Sequence, residues 1–179
     1  MPDTDPEVAP RKLDAEMPDY SDPGGDDFVA LARDRVPVRS MQADDLDMIV
    51  RIDRKLTGTD RSQYYRRKLE EVMAESGVRI SLVAELDGQP VGFVMARTDF
   101  GEFGRTEPAA VIDAVGVAPE HGREGVGRAL MSQLLANLAA LGVETVRTEV
   151  AWDNFSLLKF LHRCGFLPAQ RLVLAKRVD

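Results

Sequence analysis

A single cysteine, Cys164, rules out an intramolecular disulfide, and neither it nor the two histidines, His121 and His162, falls into a metal-ligand spacing. Neither a staple nor a metal is expected. Long apolar runs are missing as well: none approaches the roughly 18–20 residues of a membrane span. The acidic opening MPDTDPEVAP has neither the basic nor the apolar region of a signal peptide. The expectation is a cytoplasmic protein with no membrane partner. Basic charge is scarce, 23 Lys and Arg against 30 Asp and Glu, so a double-stranded nucleic-acid partner is not expected. Two nucleotide loops are also absent: no Gly-Lys-Ser/Thr follows a glycine run, and there is no Gly-x-Gly-x-x-Gly.

What is present is an ordinary globular composition, 44% apolar and 30% charged, in 179 residues. That length suits one packed domain and an extension. Residues 1–35 hold ten acids, four bases and five of the ten prolines, and so carry −6 of the net −7. They offer little to bury and read as a flexible acidic extension; residues 36–179 form the domain.

Within the domain, Val36 to Met41 reads as a strand that Pro37 pushes to a sheet edge. Gln42 to Leu56 places Leu46, Ile49, Ile52 and Leu56 at helical spacing, and Asp60 to Ser76 is a second helix capped by Thr59 or Asp60. The period then changes to two. Arg79 to Leu86 and Val91 to Arg97 flank Asp87-Gly88, a hairpin signal. A glycine-rich loop from Asp99 to Arg105 leads to the β-prone run Ala110 to Val117. Gly125 to Leu141 is an amphipathic helix stopped by Gly142, with Val126, Leu130, Leu134 and Leu138 every four residues. Val143 to Ala151 is a strand, Asp153 or Asn154 caps a short helix ending at Gly165, and Phe166 to Val178 reads as a final strand or hairpin. The order β-α-α-β-β-β-α-β-α-β implies an α/β (α+β) fold, a mixed sheet with helices on both faces.

The stretch from Val115 to Leu130 carries the chemistry. It joins a strand to a helix through Gly122, Gly125 and Gly127. The first amides of a helix have no internal partner and the dipole there is positive, so a turn poor in side chains can wrap an anion such as a pyrophosphate. Arg123 and Arg128 supply charge beside Glu124 and Val126. The plain alternative is a glycine-softened turn into a core helix.

This segment resembles the signature of the GNAT acetyltransferases, in which a strand ending in valine and proline leads into Arg/Gln-x-x-Gly-x-Gly/Ala and an amphipathic helix. Asn154 to Phe166 resembles the family's second signature, an Asn, an apolar helix and Tyr-x-x-x-Gly-Phe. The likeness spans about residues 36–179, and its motifs are closest to the branch that acetylates ribosomal-protein N-termini. It implies a splayed sheet and acetyl-CoA as co-substrate. It further implies pantetheine contact at Val115 and Val117, pyrophosphate binding from Gly122 to Arg128, and contact with the CoA arm from Asn154 and Phe160. Two positions depart from the pattern. The leading Arg/Gln falls on Gly122, and the tyrosine that protonates the departing thiolate is Leu161, which has no proton to give.

A protonated amine has no lone pair, so the implied reaction needs a base. Glu149 matches the glutamate of the ribosomal branch, and Asp113 on the preceding strand is the rival. Tyr64 or Tyr65, in the helix region that shapes the acceptor pocket, can replace the missing acid. The acceptor is an amine on a small molecule or a protein: a peptide N-terminus, a lysine or a small amine. A second copy of the chain is a further candidate partner. The competing reading, fed by Leu161, is a GNAT-like module that binds acyl-CoA without catalysis.

Overall fold

The computed structural model describes residues 36–74, 80–99, 109–169 and 173–178. The acidic extension and most of the glycine-rich loop lie outside them. In chain order the elements are β1 (Val38–Ser40), α1 (Leu46–Thr57), α2 (Ser62–Ala74), β2 (Leu82–Leu86), β3 (Gln89–Asp99), β4 (Ala109–Val117), α3 (Val126–Ala140), β5 (Thr145–Thr148) and α4 (Phe155–Arg163). The strands form one mixed sheet in the order β1-β2-β3-β4-β5. Neighbours are antiparallel except β4 and β5, which are parallel and joined by α3.

Local chemistry sets the boundaries. The predicted first helix begins four residues late, because Gln42 N–H donates to Asp45 Oδ2 at 2.7 Å and Ala43–Asp45 form a 3-10 turn before α1. Gly58, at φ 71°, ends α1 by donating to the Arg54 carbonyl. Of the two caps considered for α2, Asp60 does the work: its Oδ1 accepts from Ser62 N–H at 2.9 Å. Asp87 and Gly88 both have positive φ, which is the geometry of a two-residue hairpin between Leu86 and Gln89.

Each face of the sheet carries its own core. On one, α3 buries Leu130, Leu134 and Leu138 against Val94, Ala110 and Ile112. On the other, Ile49 and Ile52 of α1 and Tyr65 and Leu69 of α2 cover Phe93 and Met95. Gly116 lets that second layer close, since a Cβ there would lie 2.7 Å from the Phe93 ring and 3.2 Å from Ile52. Arg39 ties the sheet edge to α1. It bonds both Asp45 oxygens at 2.8 Å and Glu85 at 2.6 Å.

Two expectations are corrected. Among the described residues of 166–178 there is no strand; Leu167, Val173, Leu174 and Val178 are 71–93% exposed. β propensity is realised only against a neighbouring strand, and Pro168 interrupts this run. Trp152, the only tryptophan, reads from the sequence as a cover for the sheet, but it is 82% exposed.

Candidate active site

The site begins where two strands part. β4 and β5 pair only from Ala109↔Thr145 to Ile112↔Thr148, and the Thr148 hydroxyl closes the ladder on the Ile112 carbonyl at 3.0 Å. From Asp113 to Val117, β4 keeps β3 on one side and has no strand on the other among the described residues. Five residues at about 3.3 Å each leave roughly 16 Å of open edge. Val115 and Val117 lie on this edge, half-buried, with their side chains on the α3 layer.

A bulge marks the parting point. Register shifts between Met95 and Ala96 of β3, opposite Ala114 and Ile112, so Asp113 is the extra residue of β4. Its carboxylate faces α2, 3.4 Å from Lys68 Nζ and 3.3 Å from Arg97 Nε. Both oxygens are therefore engaged by cations, which leaves Asp113 poorly placed to take a proton. Glu149 lies one residue beyond β5, is exposed, and makes no hydrogen bond or ion pair to the described residues. The two candidate bases thus occupy the two sides of the cleft in different states.

The open edge runs into the turn that was expected to hold phosphate. After β4, Pro119–His121 form a 3-10 turn in which Gly122 N–H donates to the Pro119 carbonyl at 3.2 Å, so that amide is already used. Arg123 and Gly125 both have positive φ, at 76° and 85°. Such reversals tilt successive amides toward one concavity. The first regular bond of α3 runs from Ala129 to Gly125, leaving the amides of Val126 and Gly127 in the unsatisfied first turn.

The glycines differ in what their missing side chains allow. A Cβ at Gly125 would meet nothing within 4 Å, and that opening suits a ligand. At Gly127 it would meet the Phe160 ring at 3.1 Å and Val117 at 3.7 Å. Gly127 therefore lets α4 close on β4, and the two sequence motifs touch each other there. Arg123 and Glu124 are exposed, Arg128 is half-buried, and Glu124 bonds His121 at 3.0 Å. These residues fit an anionic, extended ligand: an open strand edge for an amide-bearing arm and an amide-rich turn for its phosphates.

α4 supplies the rest. Asn154 is its cap, with Oδ1 accepting from Leu157 N–H at 3.2 Å and from the Ser156 hydroxyl at 3.1 Å, so only its amide nitrogen is left to meet a ligand. Leu161 is 4% exposed and packs in the α3-side core. The position of the family's acid is thus built into the interior here. His162, next to it, is exposed. Cys164 is half-buried and its thiol is pushed up by burial, as expected of a small packing residue.

The two tyrosines are now distinguishable. Tyr65 is buried and its hydroxyl donates to Asp53 Oδ1 at 2.8 Å; Arg61 pairs with the same carboxylate. Burial, then the bond to Asp53, raise its pKa. Tyr64 makes no hydrogen bond to the described residues, and burial followed by the charge of Asp113 raises its pKa. The Asp53-Arg61-Tyr65 cluster and the Lys68 and Arg97 contacts were not read from sequence. Asp53 had a signal, since it lies four residues after buried Ile49 and so on the apolar face of α1. The bulge at Asp113 had none.

Two surface concavities, of about 340 Å³ between α1 and the Pro119–His121 turn and about 450 Å³ at Asp60–Tyr64, include neither Asp113 nor Glu149. The cleft is the splay of the sheet itself. No described helix is long and apolar enough to cross a membrane, and the described residues hold no cluster suited to a metal ion.

A strand parts from its neighbour here and leads into an amide-rich helix start, and comparison with known proteins gives the class of the chain. Residues 46–166 match the acetyltransferase (GNAT) family, and the chain belongs to it. Its co-substrate is acetyl-CoA. The fold is similar to that of the aminoglycoside acetyltransferase AAC(6')-Iy in complex with a CoA bisubstrate analogue, at 18% identity and TM-score 0.67 over 80% of this chain and 99% of that one. It is equally similar to the 6'-N-acetyltransferase AAC(6')-Ih of Acinetobacter baumannii, with 18% identity, TM-score 0.67 and the same coverage. The ribosomal-protein-alanine N-acetyltransferase of Brucella melitensis biovar Abortus 2308 matches at 19% identity and TM-score 0.62, again over 80% and 99%. The ribosomal branch is therefore one neighbour among several, and at these identities the likeness speaks for the fold.

Proposed function

We propose that this chain is an N-acetyltransferase that moves the acetyl group of acetyl-CoA to a primary amine by direct attack. The observation that carries this reading is the continuous run from the open edge Asp113–Val117 into the turn 122–128. The pantetheine amides pair with that edge, with Val115 and Val117 beneath them, and the pyrophosphate lies on the turn from Gly122 to Arg128. Asn154 and Phe160 border the arm from α4.

Glu149 is the base. It takes a proton from the ammonium, directly or through a water; the freed lone pair attacks the thioester carbon, the C–N bond forms, and collapse of the tetrahedral intermediate breaks C–S. The thiolate, of pKa about 8.5, leaves, and the second proton of the nitrogen passes to it through Tyr64 or water, giving the neutral amide and the thiol. Asp113 is the anchor of Lys68 and Arg97 on the opposite wall. The acceptor is a peptide N-terminus, a lysine or a small amine; the neighbours' names add aminoglycosides to that range. Asp99, Glu102 and Glu107 are acids that can attract a cationic amine; Asp99 closes β3, and Glu102 and Glu107 lie outside the described residues.

Thiol release from acetyl-CoA across a panel of amines tests the proposal. In Glu149→Gln, turnover is expected to fall by about 10²–10³, with the loss easing at high pH as more amine is already neutral. Full activity at neutral pH would move the base to Asp113. The buried Leu161 favours one other reading, a non-catalytic acyl-CoA-binding module. CoA binding without thiol release for any amine would select it.

A further inference from the structure

The α1/α2 side of the cleft is charged unevenly. Residues 51–68 hold seven bases against Asp53 and Asp60, a surplus of five positive charges in a chain of net charge −7. They span the second half of α1, the turn after it and the first half of α2, so they gather at one end of that helix pair. The acids lie elsewhere, with Asp44, Asp45 and Asp47 around the start of α1 and Glu70 and Glu71 in the later half of α2. The basic end follows the open edge of β4. Lys68 Nζ is 3.4 Å from Asp113, where β4 and β5 part, and Lys55 Nζ is 2.5 Å from Glu120 in the turn after β4.

What this wall offers a substrate depends on which charges are already spent. Asp53 is held by Arg61 and Tyr65, Asp60 by Arg54, Asp113 by Lys68 and Arg97, Glu71 by Lys68, and Glu120 by Lys55. None of these five carboxylates can receive an ammonium without giving up a cation. Arg51, Arg66 and Arg67, by contrast, are exposed and make no hydrogen bond or ion pair to the described residues. Glu149, across the cleft, is the carboxylate without such a partner. A polyamine brings several ammoniums: one can meet Glu149, and the others meet arginines. Like charges set against each other weaken binding and slow encounter, and opposite charges steer it.

We infer that the acceptor carries a single ammonium on an otherwise anionic molecule, as the N-terminus of an acidic peptide or a dicarboxylic amino acid does, and is not a polyamine. With the acetyl-CoA arm on the open edge and the turn 122–128, the acceptor comes in from the α1/α2 side. Its ammonium goes to Glu149, and the carboxylates behind it lie on the basic end of the two helices. The inference rests on the N-acetyltransferase reading and adds to it the charge of the acceptor.

The test compares thiol release by the full chain for two peptides that differ only in having glutamate or arginine at their second to fourth positions, with free glutamate and spermidine beside them. The acidic peptide or free glutamate is expected to exceed its basic counterpart by about tenfold or more in kcat/KM, a gap that narrows as salt rises. Turnover of free glutamate marks a small acceptor, and turnover of the acidic peptide alone marks a chain terminus. Replacing both exposed arginines, Arg66→Glu with Arg67→Glu, should cut the preference by about tenfold through the KM of the acceptor. The KM of acetyl-CoA and the far-UV spectrum should not move. Equal or faster turnover of the basic peptide or of spermidine would overturn the inference and leave the transfer reading intact, as would a preference indifferent to the double substitution. If CoA binds but no amine of either charge releases thiol, the transfer reading falls and takes the inference with it.

Discussion

At the residue scale the informative contrast is between two adjacent tyrosines. Tyr65 is spent on Asp53, a buried carboxylate that also holds Arg61, whereas the Tyr64 hydroxyl is uncommitted among the described residues and feels the charge of Asp113. Their phenylalanine variants should therefore fail differently. Tyr65→Phe removes a hydrogen bond to a charged acceptor and should lower stability by about 1.5–3 kcal/mol in chemical denaturation, with turnover nearly unchanged. Tyr64→Phe should leave stability within about 0.5 kcal/mol and reduce turnover by ~10² if it donates the proton to the thiolate. Retained turnover would assign that proton to water. Restoring the family's tyrosine at Leu161 is not a clean counterpart, because a phenol there would have to enter a packed core.

At the element scale, glycines explain why the motifs were legible and why their roles were only partly so. The strand-turn-helix run from Val115 to Leu130 is readable because β period, glycine spacing and helical period change in sequence. What each glycine faces depends on distant residues. Gly125 is open and at positive φ, so Gly125→Val should abolish acetyl-CoA binding by calorimetry in a protein that still folds. Unchanged affinity would remove the phosphate site from this turn. A Cβ at Gly116 would lie 2.7 Å from the Phe93 ring, so Gly116→Ala should destabilise by about 1–3 kcal/mol, read as a lower thermal midpoint. The helices and the hairpin were legible because caps and turn residues act locally. The bulge at Asp113 and the lack of a strand among the described residues of 166–178 were not, since both are decided by what the neighbouring strand does.

At the scale of the whole molecule, the question is where the folding unit begins. Val36 is 2% exposed and sits in the α3-side core, and Pro37 and Arg39 already bond to β2. Val36 is therefore already part of the core. Residues 1–35 hold most of the net charge and half the prolines, a composition that contributes little to a core and adds mutual repulsion. We propose that they are dispensable for folding. A chain beginning at Arg35 should keep the far-UV spectrum and shift the thermal midpoint by no more than about 2 °C, less than the loss of ~1 kcal/mol would cause in a domain of this size. If the shortened chain aggregates or melts well below the full one, the acidic stretch packs on the domain. Its Asp and Glu side chains would then have to be traced to basic partners there by charge reversal.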